Sequence, residues 1–131
     1  MMIEATARWH IEYVAARMRE RDRAEFMPLT DADTHEQLVE LLLARYDGRT
    51  DLVTALDGDE PVAVGGCIQH RPNVASLLMF ATDRFPRVSH PLTRFIRKTL
   101  FPAARRHGAH RIEAVSLSTY DEAHRWIEML G

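Results

Sequence analysis

The 131-residue sequence predicts an α/β domain built on a mixed sheet, and three stretches carry that prediction. Leu52-Val-Thr-Ala-Leu56, Asp57-Gly-Asp-Glu60 and Pro61 to Ile68 read as strand, turn and strand of a hairpin. Val74 to Ala81 is an apolar run of strand length that extends the hairpin to a three-strand meander. Thr82 to Gly108 then carries a helical apolar repeat, and Arg111 to Leu117 alternates polar and apolar residues. A helix joining two such strands predicts a right-handed crossover between parallel neighbours in one sheet.

Composition sets the frame. Apolar content of 46% and charged content of 27% are ordinary for a globular chain, and 131 residues fit one domain, 1–131. No apolar run approaches the roughly 20 residues of a membrane span. Met1-Met-Ile-Glu leads directly into polar positions, so no signal peptide is expected. The single cysteine, Cys67, excludes an intramolecular disulfide and offers no metal cluster, which points to a reducing compartment.

The first half reads as strand, helix, helix. Met2 to Thr6 is short enough for a first or edge strand. Thr6 is placed to cap a helix from about Ala7 to Arg19, with Ile11, Val14, Ala15 and Met18 as its apolar stripe. Arg19 to Arg23 is charged throughout and is expected to fray or turn. A second helix starts near Asp33 or Thr34, where Asp33 with Glu36 or Thr34 with Gln37 would form a capping box. Leu38, Leu41, Leu42 and Tyr46 carry its buried face, and Gly48 ends it. Gly65 and Gly66 inside the hairpin's second strand imply a bulge or a close backbone approach.

The stretch from Thr82 to Gly108 organises the chain. Strand, turn and helix N-terminus in succession make a ready anion site. Ser89 is the expected N-cap, and Pro91 falls in the first turn, where a missing N–H costs little. Leu92, Phe95, Ile96, Leu100 and Ala103 recur at helical spacing, and Pro102 implies a kink or an early end. From Arg84 to Arg111 there are eight basic residues and no acidic one, in a chain with 17 basic and 19 acidic residues. The net charge of −2 therefore conceals a basic segment in an acidic body. Such a segment suits DNA or an acidic partner, or else forms a solvated helix face. Beyond it, Thr119 is placed to cap a last helix with Ala123, Trp126, Ile127 and Leu130 inward.

Other constellations point nowhere specific. His107 and His110 are three apart, but Gly108 breaks the helix that would align them, so no metal site is expected. Cys67 follows two glycines in an apolar strand and reads as a small filler. Trp126 suits the core by its spacing, whereas Trp9 suits core or interface equally.

The order β-α-α-β-β-β-α-β-α, with its turns, resembles the GNAT superfamily of acetyl-CoA-dependent N-acetyltransferases over nearly the whole chain. The resemblance rests on the helix ending at Gly48, the Asp57-to-Gly66 hairpin, and Ala123 through Trp126 to Leu130-Gly131. In that family the last helix ends in Leu-Gly-Phe and further strands follow, whereas this sequence stops at Gly131. The family binds the CoA pyrophosphate with a turn of pattern R/Q-x-x-G-x-G/A. In register, Arg87 holds the first position, and His90 and Leu92 stand at the small positions with Pro91 between them. Pro91 has no N–H to give, and Leu92 adds bulk if it faces the site. Many family members use a Tyr in the last helix as general acid, seven residues after an Asn. Here Tyr120 takes the Asn position and Ile127 the Tyr position.

Within the superfamily, Phe80-Ala-Thr-Asp83, Phe95-Ile-Arg-Lys98, the Gly65-Gly66 pair and Trp126 to Gly131 are similar to the small internal virion proteins of short-tailed phages and their prophage relatives. That resemblance implies a virion or assembly protein, in the virion or the host cytoplasm, that keeps the fold without a cofactor and has other phage proteins as partners. The alternative is an active acetyltransferase with a divergent acetyl-CoA site formed by Arg87, Val88, Ser89 and His90. Glu113 and Tyr120 are then the candidate catalytic residues.

Overall fold

The computed structural model describes the backbone of residues 1–71, 74–106 and 111–114, and the side chains of 1–69 and 74–106. Pro72, Asn73, residues 107–110 and everything after Ala114 lie outside the described residues. The strand expected over Arg111 to Leu117 is therefore described only as far as Ala114.

Five strands form one mixed sheet in the order β1-β2-β3-β4-β5. They are β1 (Met2–Ala5), β2 (Val53–Asp57), β3 (Glu60–Arg71), β4 (Val74–Ala81) and β5 (Arg111–Ala114). The first four are antiparallel neighbours, and β5 runs parallel to β4, pairing Val74 with Arg111 and Leu77 with Ala114. That is the crossover expected from the apolar periodicity. Asp57 pairs with Glu60 across a two-residue turn, and Gly58 supplies the positive φ of 64° that such a turn requires.

Gly65 and Gly66 make no bulge; they stay in regular register opposite Met79 and Leu78. Their role is close backbone approach. A Cβ on Gly66 would stand 2.2 Å from the carbonyl oxygen of Asp51, and one on Gly65 would stand 2.5 Å from that of Leu78. The register shifts fall elsewhere, at Ala55/Leu56 and at Gln69/Arg71.

Three helices precede the meander: α1 (Arg8–Ala16), α2 (Glu20–Phe26) and α3 (His35–Tyr46). Thr6 does not cap α1; its hydroxyl pairs with that of Thr54 at 2.9 Å. Ala7 holds the N-cap position, and its N–H donates to Nδ1 of His10 at 3.0 Å. In α3 the capping box is Thr34 with Gln37: the Gln37 N–H reaches the Thr34 hydroxyl at 3.2 Å, and Gln37 Oε1 accepts from Thr34 N–H at 3.3 Å. The buried face of α3 is Leu38, Leu42, Leu43 and Tyr46, with Leu43 replacing the expected Leu41. His35 Nε2 donates to the Ala15 carbonyl at 2.9 Å and so ties α3 to the end of α1.

The charged run from Arg19 does not fray. It forms α2 because one carboxylate has partners on three sides. Asp22, 4% exposed, accepts from Arg19 Nε at 2.8 Å, from Arg19 Nη2 at 3.0 Å and from the Ala81 N–H at 2.8 Å. Phe26 on the same helix meets Phe80 edge-on, with ring centroids 5.8 Å apart.

The sheet separates two apolar clusters. On one side α1, α2 and α3 pack Ile11, Val14, Phe26, Leu38 and Leu42 against Leu52, Val64 and Phe80. On the other, Phe85, Val88, Leu92, Ile96 and Phe101 pack against Ala63, Leu77 and Ala81. Full burial of side chains of this size contributes about 1.5–3 kcal/mol each, so both layers hold the sheet. The domain is thus three layers, helix on sheet on helix.

The long helix is interrupted. α4 (Ser89–Phe95) passes into a π-helical turn over Ile96–Leu100 and then α5 (Phe101–Arg106). Pro102 explains the interruption. It has no N–H, and its ring would collide with the carbonyl four residues back in a regular helix. Widening the preceding turn relieves this; the Phe101 N–H bonds back to Ile96, five residues earlier. The helix therefore does not end at Pro102 but runs on to Arg106. The extra residue also moves the apolar stripe, so Phe101 is buried while Leu100 and Ala103 are only partly covered.

Candidate functional site

The site expected from the sequence is the turn between β4 and α4. β4 ends at Ala81, whose carbonyl accepts the Arg19 N–H at 2.9 Å; the Thr82 N–H donates to Val62 O at 2.9 Å. A 3₁₀ turn, Phe85–Arg87, follows. Its amides are spent inside it. Phe85 N–H donates to Thr82 O at 3.1 Å, Arg87 N–H to Arg84 O at 2.9 Å, and Val88 N–H to Phe85 O at 3.0 Å. The Arg84 N–H takes the Thr82 hydroxyl at 3.2 Å. Arg19 stacks over the Phe85 ring, 4.5 Å from its centroid, and pins the turn against α2.

The cap of α4 differs from the expected one. Val88 is the N-cap and Ser89 the first helical residue. The Ser89 hydroxyl donates backward to Pro86 O at 3.3 Å and satisfies no helix amide. The Leu92 N–H bonds Val88 O at 2.8 Å, and Pro91 has none, so at the helix start the amides of Ser89 and His90 are left over, as is that of Asp83 earlier in the turn.

Each candidate cofactor residue can now be placed. Arg87 is exposed, and its Nη1 lies 3.7 Å from Oδ2 of Asp57. Val88 is 1% exposed, with its side chain in the core and its amide already bonded. Ser89 is half-buried and His90 exposed. Leu92 is buried at 5% and faces the sheet, so it adds no bulk on the solvent side of the turn. Glu113 pairs with Ser76 in the β4–β5 register, but its side chain and the whole of Tyr120 lie outside the described residues.

The hairpin brings carboxylates to this turn, which the sequence reading did not anticipate. Asp57 faces Arg87, and Glu60 pairs with Arg84 and accepts the Tyr13 hydroxyl hydrogen bond. The acidic Asp57-Gly-Asp-Glu60 turn was a visible signal; its docking against the other turn was not.

Two spaces flank the helix that follows the turn. Between sheet and helix, beside Gly65, Leu78, Met79, Leu92 and Leu100, there is an apolar gap of about 20 Å³. That holds about one water molecule. On the outer side, His90, Pro91, Arg94, Phe95, Lys98 and Thr99 line a shallow open groove of about 440 Å³. Cys67 is half-buried, and burial pushes its thiol up to about 11, with Arg105 opposing the shift. A thiol held protonated at neutral pH is a filler, not a nucleophile. Among the described residues no three metal-ligating side chains come together. Trp9 is exposed at 52% and lies on α1, with its ring edge-on to that of Tyr13 at 6.4 Å.

Solved structures share this architecture. A mutant of the BH1408 protein from Bacillus halodurans superposes with a TM-score of 0.69 at 15% identity, over 100% of this chain and 92% of that one. A GNAT-family acetyltransferase from Bacillus anthracis gives 0.66 at 14% identity, over 98% and 77%. The chain has the GNAT fold. An integron cassette protein from the mobile metagenome of V. cholerae matches at 0.59 and 15% identity, over 99% and 83%. At these identities the likeness is one of fold. No family model and no curated protein matches the sequence. The β4–α4 turn, the candidate cofactor site by sequence resemblance, spends the amides of Phe85, Arg87 and Val88 on its own carbonyls.

Proposed function

We propose that this chain is a GNAT-fold protein of a phage or prophage, a virion or assembly component that acts by binding and not by acetyl transfer. The observation that carries the reading is the closed turn. Phe85, Arg87 and Val88 spend their amides on the turn's own carbonyls, and Pro91 has none. A pyrophosphate needs several converging N–H donors at a helix start, and only those of Ser89 and His90 are left over. Arg87, the cation expected to meet it, faces a carboxylate instead. The phage assignment draws its support from the sequence resemblance. Its partners are then other virion proteins. No described helix is long and apolar enough to cross a membrane.

Calorimetric titration with acetyl-CoA tests the loss of transfer chemistry. Absence of heat is the expected result; a dissociation constant in the low micromolar range would overturn it. Capsid and tail genes beside the coding gene, and its peptides in purified particles, are the outcome expected of a virion role.

A second reading rests on those same two amides. Ser89 and His90 with the exposed Arg87 form a reduced anion site, and β5 lies parallel to β4 in one sheet. An active N-acetyltransferase would use them for acetyl-CoA, with Glu113 and Tyr120 as its catalytic candidates. Micromolar binding that Arg87→Ala abolishes is the result that would select it.

A further inference from the structure

The basic segment divides in two. Arg84 and Arg87 are matched by Glu60 and Asp57. Arg94, Arg97, Lys98, Arg105 and Arg106 are exposed along the helix, and none has a carboxylate partner among the described residues. At about 1.5 Å per residue these five cations extend over roughly 20 Å. His90, Arg94 and Lys98 recur every fourth residue and so share a face, which is the rim of the shallow outer groove.

We propose that this face binds the phosphate backbone of a nucleic-acid duplex without reading its sequence. Charge names a polyanion, and three features choose among polyanions. The groove is open and shallow, so it cannot enclose a small anion; an extended one fits it. Among the described residues the well-exposed large apolar side chains, Met1, Met2, Trp9 and Leu29, all lie off this helix. A protein interface would want such an anchor at its centre, and among the described residues this face has none. Single strands are held by stacking bases on exposed aromatic rings. Here, among the described residues, Phe95 is half-buried and Phe101 is 7% exposed, so neither phenyl ring stands free for a base, and the exposed ring of the groove is the small His90 imidazole. What remains is a row of cations suited to phosphates alone. The hairpin carboxylates confine the footprint to the far part of the helix. This inference does not rest on the loss of acetyl transfer, because duplex binding and acetyl-CoA binding are read by separate titrations.

The test is fluorescence anisotropy of the full chain with a short labelled DNA duplex of mixed sequence, across a salt series. Five neutralised phosphates give an expected slope of about −4 to −5 in log K against log salt. The double charge reversal Arg94→Glu with Arg97→Glu should weaken binding at least about tenfold and flatten the slope by roughly 2. Both residues are exposed, so the fold should persist, which circular dichroism checks. Arg45→Glu, an exposed change on α3, should leave binding unchanged. No binding at low salt, a flat salt response, or equal loss in the Arg45 variant would overturn the proposal. Tighter binding of a single strand would also overturn it. Equal binding of poly-glutamate would do so too, and would assign the face to an acidic protein.

Discussion

The guanidinium of Arg87 stands 3.7 Å from the carboxylate of Asp57, measured from Nη1 to Oδ2. This joins the two turns on which the cofactor question depends. The hairpin turn supplies a negative charge beside the cation proposed to meet a phosphate. The pair is solvent-facing, with Arg87 65% exposed, so it contributes little to stability. Its effect is on what else can approach Arg87.

Asp57→Asn separates these contributions. Stability should fall by no more than about 1 kcal/mol, as for most exposed pairs, read from urea denaturation. The freed Arg87 should still bind no acetyl-CoA by calorimetry, because the turn's amides remain spent. Micromolar affinity in this variant would show that the ion pair alone had closed the site.

Asp22 presents the opposite case. It is buried and holds both Arg19 and the Ala81 amide. Asp22→Ala leaves a buried N–H and a largely covered guanidinium without their carboxylate, which should cost about 3–5 kcal/mol. Arg8→Ala removes a 2.8 Å pair with Asp47 that is open to water, and should cost under about 1 kcal/mol. Equal losses in the two denaturation curves would refute the placing of Asp22 as the anchor of α2.

His10 makes stability pH-dependent. Burial lowers its pKa from the ordinary 6.5, and the charge of Glu4 opposes that shift only in part. A depressed histidine pKa means the unfolded chain binds the proton more readily. Stability should therefore be full above about pH 6.5 and decline as pH falls toward the folded pKa. The structural cause is specific: Nδ1 must stay unprotonated to accept the Ala7 N–H. Asn at this position can keep an acceptor there without titrating. Urea midpoints for the wild-type protein should drop from pH 7 to pH 5.5 more steeply than those of His10→Asn. Parallel pH curves would rule out this histidine as the source.

Much of the fold was legible because its signals are local. The Asp57-to-Glu60 turn, the Thr34–Gln37 box and the β4 run each carry their own geometry within a few residues. The failures share one cause, which is partners distant in sequence. Nothing in Arg19 to Arg23 says that Asp22 will be buried and meet Ala81, so a helix reads as a charged turn. Thr6 was free to cap a helix until Thr54 took its hydroxyl. At the candidate site, the missing amide of Pro91 was visible in the sequence. The direction of Leu92 was not, nor was the meeting of Arg84 and Arg87 with the hairpin carboxylates. Those depend on how two turns dock across the sheet.

The π-helical turn provides the sharpest test of the register. A regular helix through Ile96–Leu100 would place Leu100 and Ala103 on the inner stripe with Leu92 and Ile96. The widened turn puts Phe101 there, 7% exposed, and leaves Leu100 only partly covered at the edge of the same cluster. Phe101→Ala should then cost about 3–5 kcal/mol, the range for emptying a large core site. Leu100→Ala should cost clearly less, because part of its side chain already meets water. Chemical denaturation of the two variants reads the difference directly. The reverse order would mean that the helix is regular and that Pro102 is accommodated in some other way. Arg105 and Arg106 would then turn to a different face, and the cationic row would lose its far end. The salt slope for duplex binding should follow. It should stay near that of the wild-type protein in Leu100→Ala and fall in Phe101→Ala, where the anchor of that helical end is gone.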